Sequence, residues 1–128
     1  MPRVLLLISG WMFTLAVTLF MLADVSGDLR MLPAAVDANA GLGMPANTVF
    51  AIGAVGLACT LLYAFPPTAF FGAVLLTGFL GGAVATHVRV HGGAHDIGEN
   101  VLIGLLAWAG LWLRDARLRR LLPIHREG

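Results

Sequence analysis

Lysine is absent from this chain, and cysteine occurs once, at position 59. A lone cysteine inside an apolar run excludes a disulfide framework and a C-x-x-C redox pair. Charge of either sign is scarce: 12% of the 128 residues are acidic or basic, against roughly 25% in soluble domains. A net charge of +1 provides no basic surface for a phosphate backbone, so no nucleic-acid partner is expected. Ser9 and Ser26 lack a G-x-S-x-G frame, and Cys59 has no histidine nearby. Nucleophilic catalysis therefore has no constellation to start from.

What is present is hydrocarbon. Apolar residues make up 59% of the chain and the mean hydropathy is +0.87, far more than a soluble domain of this size could bury. Crossing a bilayer takes roughly 20 apolar residues in a helix, and four such runs occur, at about 4–23, 48–65, 68–86 and 97–113. The first is longer than a signal-peptide core and no small-residue cleavage site follows it, so it is expected to remain as a span. Pro66 and Pro67 separate the second and third runs; proline lacks the amide that would continue a helix, which predicts a tight turn between antiparallel helices. Asp96 and Glu99 have the spacing of a capping box at the start of the fourth. The expected fold is all-α: one transmembrane domain over 1–128, an integral membrane four-helix bundle.

Arginine placement orients it. Arg3, Arg114, Arg117, Arg119, Arg120 and Arg126 fall on the side of the termini, and only Arg30 and Arg89 on the other. The positive-inside rule then makes both termini cytoplasmic, with Tyr63, Trp108 and Trp112 as an aromatic belt near the same boundary. The outer side holds a loop over 24–47, with a short interfacial helix expected near Leu32 to Ala40, and a second loop over about 87–96. The tail from Arg114 alternates arginine with leucine and reads as an amphipathic end facing anionic lipid.

Lipid solvates leucine as well as leucine does, so membrane helices associate through small residues. Gly78 and Gly82 form a G-x-x-x-G pair continued by Thr86, with Gly81 and Ala85 beside it, and Gly53, Gly56 and Thr60 repeat the pattern in the second run. Both sets are expected to pack helices; the alternative for the third run is room for a flat ligand such as a quinone. That run leads into polar groups: Thr86, His87 and Arg89 close it, Asp24 closes the first run and Glu99 opens the fourth. These five are the candidate ligand-binding residues; either each is simply solvated in the headgroup region with Arg89 snorkelling to phosphate, or Arg89 pairs with Asp24 or Glu99 to lower the cost of charge near hydrocarbon. His87, His91 and His95 recur every four residues, but Gly92 and Gly93 favour a turn between them. No metal site and no catalytic residue are expected.

LGMP at 42–45, GLACTLLYAFPPTAFFGAVLLTGFLGGAVATHVRV at 56–90 and GLWLRDARLRRLLP at 110–123 resemble the DoxX-like family of small four-helix bacterial membrane proteins. The resemblance implies a four-span bundle in the bacterial inner membrane. Broader DoxX and DoxD relatives are associated with quinone-linked sulfur oxidation and membrane oxidoreductase complexes. It thus implies an accessory or quinone-interacting subunit of a membrane redox complex, with redox subunits or further copies of the chain as partners. Asp24, Thr86, His87 and Arg89 match family positions, whereas Gly56 stands where relatives often carry glutamate and Ser26-Gly27-Asp28 where they often carry a basic residue. The competing expectations are a non-catalytic structural or lipid-binding protein and an oligomeric small-molecule transporter. No span carries the mid-membrane charge that transporters commonly use. Whether any reaction is catalysed stays open at this point, and quinone is the one cofactor candidate.

Overall fold

The computed structural model describes residues 2–90 and 94–121. Among them are six α-helices and no strand: α1 (Arg3–Leu29), α2 (Pro33–Gly41), α3 (Ala46–Ala64), α4 (Ala69–Arg89), α5 (Ala94–Arg114) and α6 (Ala116–Leu121). Four segments, Arg3–Leu29, Ala46–Ala64, Pro66–Arg89 and Ala94–Arg114, are long and apolar enough to cross a membrane. They form a closed ring, α1 against α3, α3 against α4, α4 against α5 and α5 against α1. Only 22 to 33% of each span is buried inside the bundle, so its apolar remainder, including Leu5, Leu15, Phe50, Phe71 and Leu105, faces outward. Water would not support that surface; lipid does.

The boundaries follow local chemistry. Pro66–Thr68 forms the expected tight turn, a single 3-10 turn, and Thr68 Oγ1 donates to the Leu62 carbonyl at 2.8 Å to satisfy the end of α3. The short helix between the first two spans is α2, with Pro33 at its first position, where the missing amide costs nothing. α1 runs six residues beyond the expected limit of Ala23, through Leu29. Its end is a Schellman turn in which Leu32 N–H donates to the Gly27 carbonyl and Met31 N–H to that of Asp28. Met31 occupies the left-handed position at φ 53°, a place glycine usually takes, so no residue type announced the stop. Asp96 lies inside the first turn of α5 rather than capping it.

Close approach of backbones sets the ring. On α1 the buried positions are Gly10, Thr14, Val17, Met21, Val25 and Asp28, spaced by three or four residues so that one seam faces inward. At Gly10 an added Cβ would lie 2.7 Å from the Arg114 backbone nitrogen, and at Gly110 3.1 Å from that of Thr14, so α1 and α5 touch main chain to main chain. Gly72 does the same between α4 and α3, where a Cβ would fall on the backbone of Leu62 and Tyr63. Gly53 and Gly56 pack as expected, against Asp28 and against Val25 and Phe79. Gly78 and Gly82 do not. Both are exposed, with nothing within 4 Å of where a side chain would begin. The G-x-x-x-G face of α4 lies opposite the buried Leu76 and Leu80, and among the described residues no helix packs on it.

These environments separate two kinds of glycine. Gly72→Ala must push α3 and α4 apart and is expected to destabilise the bundle by about 2 kcal/mol, in the range of overpacked cores. Gly78→Leu or Gly82→Leu should leave the unfolding midpoint of the detergent-solubilised monomer unchanged. Thermal unfolding followed by far-UV circular dichroism distinguishes them, and loss of the fold in Gly78→Leu would contradict the outward placement.

Candidate functional site

At the loop end of the bundle the expected polar residues gather only in part. Asp28 and Glu99 are each near enough to Asp24 to act on it electrostatically. Asp28 is buried and accepts a 3.1 Å hydrogen bond from Asn39 of α2. Glu99 lies 3.9 Å from His95 on an exposed turn of α5. The other three members turn back onto backbone. Thr86 Oγ1 donates to the Gly82 carbonyl at 2.8 Å. His87 Nδ1 lies 2.8 Å from the Ala83 carbonyl; a carbonyl only accepts, so Nδ1 carries the proton. Arg89 Nη2 donates to the Leu42 carbonyl at 2.8 Å.

The pairing of Arg89 with Asp24 or Glu99 is therefore corrected: among the described residues it has no carboxylate partner. The reason is geometric. Leu42 is the C-cap of α2, where carbonyls lack helical partners and the helix dipole is negative. Gly43 follows at φ +84° in a second Schellman turn, and a Cβ there would come within 2.9 Å of the guanidinium. Arg89 thus ties the α2–α3 connection to the end of α4. His91 lies outside the described residues, and among those described no three His, Cys, Asp or Glu side chains come together as metal donors.

Two arrangements were not anticipated from sequence. The first is a groove of about 240 Å³ between α4 and α5, open to the outside and lined by Thr77, Leu80, Gly81, Val84, Asn100, Gly104 and Trp108, among others. Glycines on both walls clear it of side chains. Its floor is fixed by Trp108, whose indole N–H donates to Thr77 Oγ1 at 2.6 Å and whose ring meets Phe70 edge to face at 5.8 Å. The volume falls just under the ~300 Å³ at which small-molecule sites usually begin, so it suits one ring or chain segment.

The second lies at the end that carries both termini. Tyr63, expected in an interfacial belt, is instead fully buried; its hydroxyl donates to the Ala107 carbonyl at 2.7 Å and lies 3.5 Å from Thr14 Oγ1. Arg114 Nη2 donates to the Tyr63 carbonyl at 2.8 Å, and the guanidinium carbon stands 4.4 Å from the Trp11 ring centroid and 5.1 Å from that of Tyr63. The signal in sequence was weak, because Trp11, Tyr63 and Arg114 belong to three different spans.

The DoxX-like family model matches residues 12–110, most of the chain. The chain belongs to the DoxX-like family. No curated protein and no solved structure matches it. Membership and the four apolar helices make this an integral, multi-pass membrane protein. Gly56 has no room for a glutamate: a Cβ would already sit 2.7 Å from Val25 Cγ1 and 3.0 Å from the Phe79 ring. The position is a helix contact.

The Arg89 contact gives a local prediction. Arg89→Ala should leave the bundle folded but accelerate amide exchange over residues 40–44, where the order of the Schellman turn that ends α2 depends on the Leu42 carbonyl being held. A loss of about 1–2 kcal/mol of local protection is expected for a charged hydrogen bond. Hydrogen exchange with mass spectrometry in detergent reads it, and unchanged rates there would show that the bond does not order the turn.

Proposed function

We propose that this DoxX-like protein is a non-catalytic subunit of a membrane redox assembly that holds the flat or chain-like part of an amphiphile, a quinone by preference, in the α4–α5 groove. The observation that carries the reading is the groove itself: apolar walls cleared by Gly81 and Gly104, one aromatic face from Trp108, and the Asn100 side chain at its loop-end rim. A quinone needs that combination, an apolar slot for the ring with few polar groups to orient its carbonyls. The redox setting comes from the family's broader relatives by analogy, which is a weaker warrant than geometry. In this reading the chain lies in the bacterial inner membrane with its termini cytoplasmic, since Arg3, Arg114, Arg117, Arg119 and Arg120 all sit at the terminal end.

Thr86, His87 and Arg89 each bond a backbone carbonyl and none of them lines the α4–α5 groove. That same fact favours a second reading, in which the polar end of α4 is purely structural and the groove accepts an ordinary lipid chain.

One substitution separates them. Gly81 has open space where a side chain would begin, so Gly81→Leu fills the groove without disturbing a packed contact. Extracted with its own membrane lipids, the parent protein should retain quinone in native mass spectrometry. Gly81→Leu should lose most of it, roughly tenfold, the effect of about 1.4 kcal/mol. Equal quinone retention by both proteins, or phospholipid alone on the parent, would sink the quinone reading.

A further inference from the structure

The bundle's terminal end carries a site that is independent of the α4–α5 groove. A cavity of about 180 Å³ is lined by Trp11, Pro66, Ala69, Leu111, Arg114, Asp115 and Arg117. Arg114 enters it without an ion pair, Asp115 acting on its charge only through space. One terminal nitrogen is committed to the Tyr63 carbonyl, and the other, Nη1, is buried without a hydrogen-bond partner. No carboxylate lies within 4.0 Å of it among the described residues.

Asp115 does not supply the missing anion, because it is otherwise engaged. Its Oδ1 accepts the Arg117 backbone N–H at 2.9 Å as the N-cap of α6 and faces Arg117 Nε at 3.6 Å. Arg119 is likewise turned away, donating to the Trp112 and Leu113 carbonyls at the end of α5. Among the described residues the local balance is Arg3, Arg114, Arg117, Arg119 and Arg120 against Asp115. A guanidinium held between two aromatic rings, beside a second guanidinium whose side chain is 78% exposed, presents planar donors suited to a phosphate.

Two apolar surfaces adjoin this cavity. One is a shallow, open groove on α1 alone, sharing Trp11 with it and passing over Leu7, Ile8 and Leu15. The other, of about 420 Å³, shares Asp115 and Arg117 and runs between Phe70 and Phe71 of α4 and Leu118 and Leu121 of α6. A soluble anion would need neither groove, and a single-chain ligand would need only one.

We propose that this end of the bundle binds an anionic diacyl phospholipid. Its phosphate meets Arg114 and Arg117, and its two chains lie along the α1 groove and the α4–α6 groove. α6 then acts as a clasp, held in place by the Asp115 cap and by burial of Leu118.

The test is native mass spectrometry of the full chain in a neutral detergent, titrated with phosphatidylglycerol, with phosphatidylcholine of the same chains, and with glycerol 3-phosphate as a head without chains. The parent should retain phosphatidylglycerol about tenfold better than phosphatidylcholine, the discrimination expected of a charge-assisted contact. Glycerol 3-phosphate should not displace it. Arg114→Gln removes the centre of the site but also the Tyr63 contact; Arg117→Gln removes an exposed side chain and its ion pair with Asp115 but keeps the backbone cap of α6, and should cut phosphatidylglycerol retention about fivefold at an unchanged unfolding midpoint. Equal retention of the two lipids, full retention by Arg117→Gln, or displacement by glycerol 3-phosphate at the same concentration as by lipid would each overturn the proposal, the last by making it a site for a soluble anion.

Discussion

Main-chain contact between helices is the constraint on which the rest of this protein depends. Lipid offers no hydrophobic reward for joining two leucine faces, so the ring closes where glycine lets one backbone rest on another. Gly10 and Gly110 do this for α1 and α5, and Gly72 for α4 and α3. Once the helices stand that close, their ends arrive side by side. An arginine at the end of one can then reach the unpaired carbonyls at the end of another. Arg89 does so for α2 and Arg114 for α3, while Arg119 closes α5 from the helix that follows it. In a medium without water these carbonyls would otherwise be unsatisfied, so charge that resembles a binding site is partly helix capping.

That overlap explains what could and could not be learned from the sequence. Apolar run length fixes four spans, and Pro66-Pro67 fixes the tight turn between two of them, because both signals act within a few residues. α2 was legible for the same reason, with Pro33 at its start and Gly43 at its end. The end of α1 was not, since Met31 takes the left-handed position and Gly27, which looks like a stop, lies inside the helix. Asp24 consequently belongs to the helix body rather than its end.

The face of α4 was the larger difference. A G-x-x-x-G pair marks one side of a helix, but it does not say what lies on that side. Leu76, Leu80, Gly72 and Ala73 share the opposite side and meet α3 and α5; two glycines cannot compete with that packing for the interior. The same reasoning applies to Tyr63. A tyrosine near a span end reads as interfacial, yet here its hydroxyl finds the Ala107 carbonyl inside the bundle and needs no headgroup.

The two ends of the bundle therefore differ in kind. At the loop end Thr86, His87 and Arg89 each bond a backbone carbonyl, and among the described residues neither Arg89 nor His87 is left as a buried donor without a partner. At the terminal end the capping is incomplete, because Arg114 satisfies α3 with one nitrogen and keeps another unpaired beside Arg117. A buried donor without an acceptor costs free energy in any medium, and it costs more where no water can reach it. Such a cost is tolerated when something outside the chain completes the site. The sequence drew attention to the end where histidine and arginine were conspicuous; the unfilled donor lies at the other, where arginine looked like an ordinary topology signal.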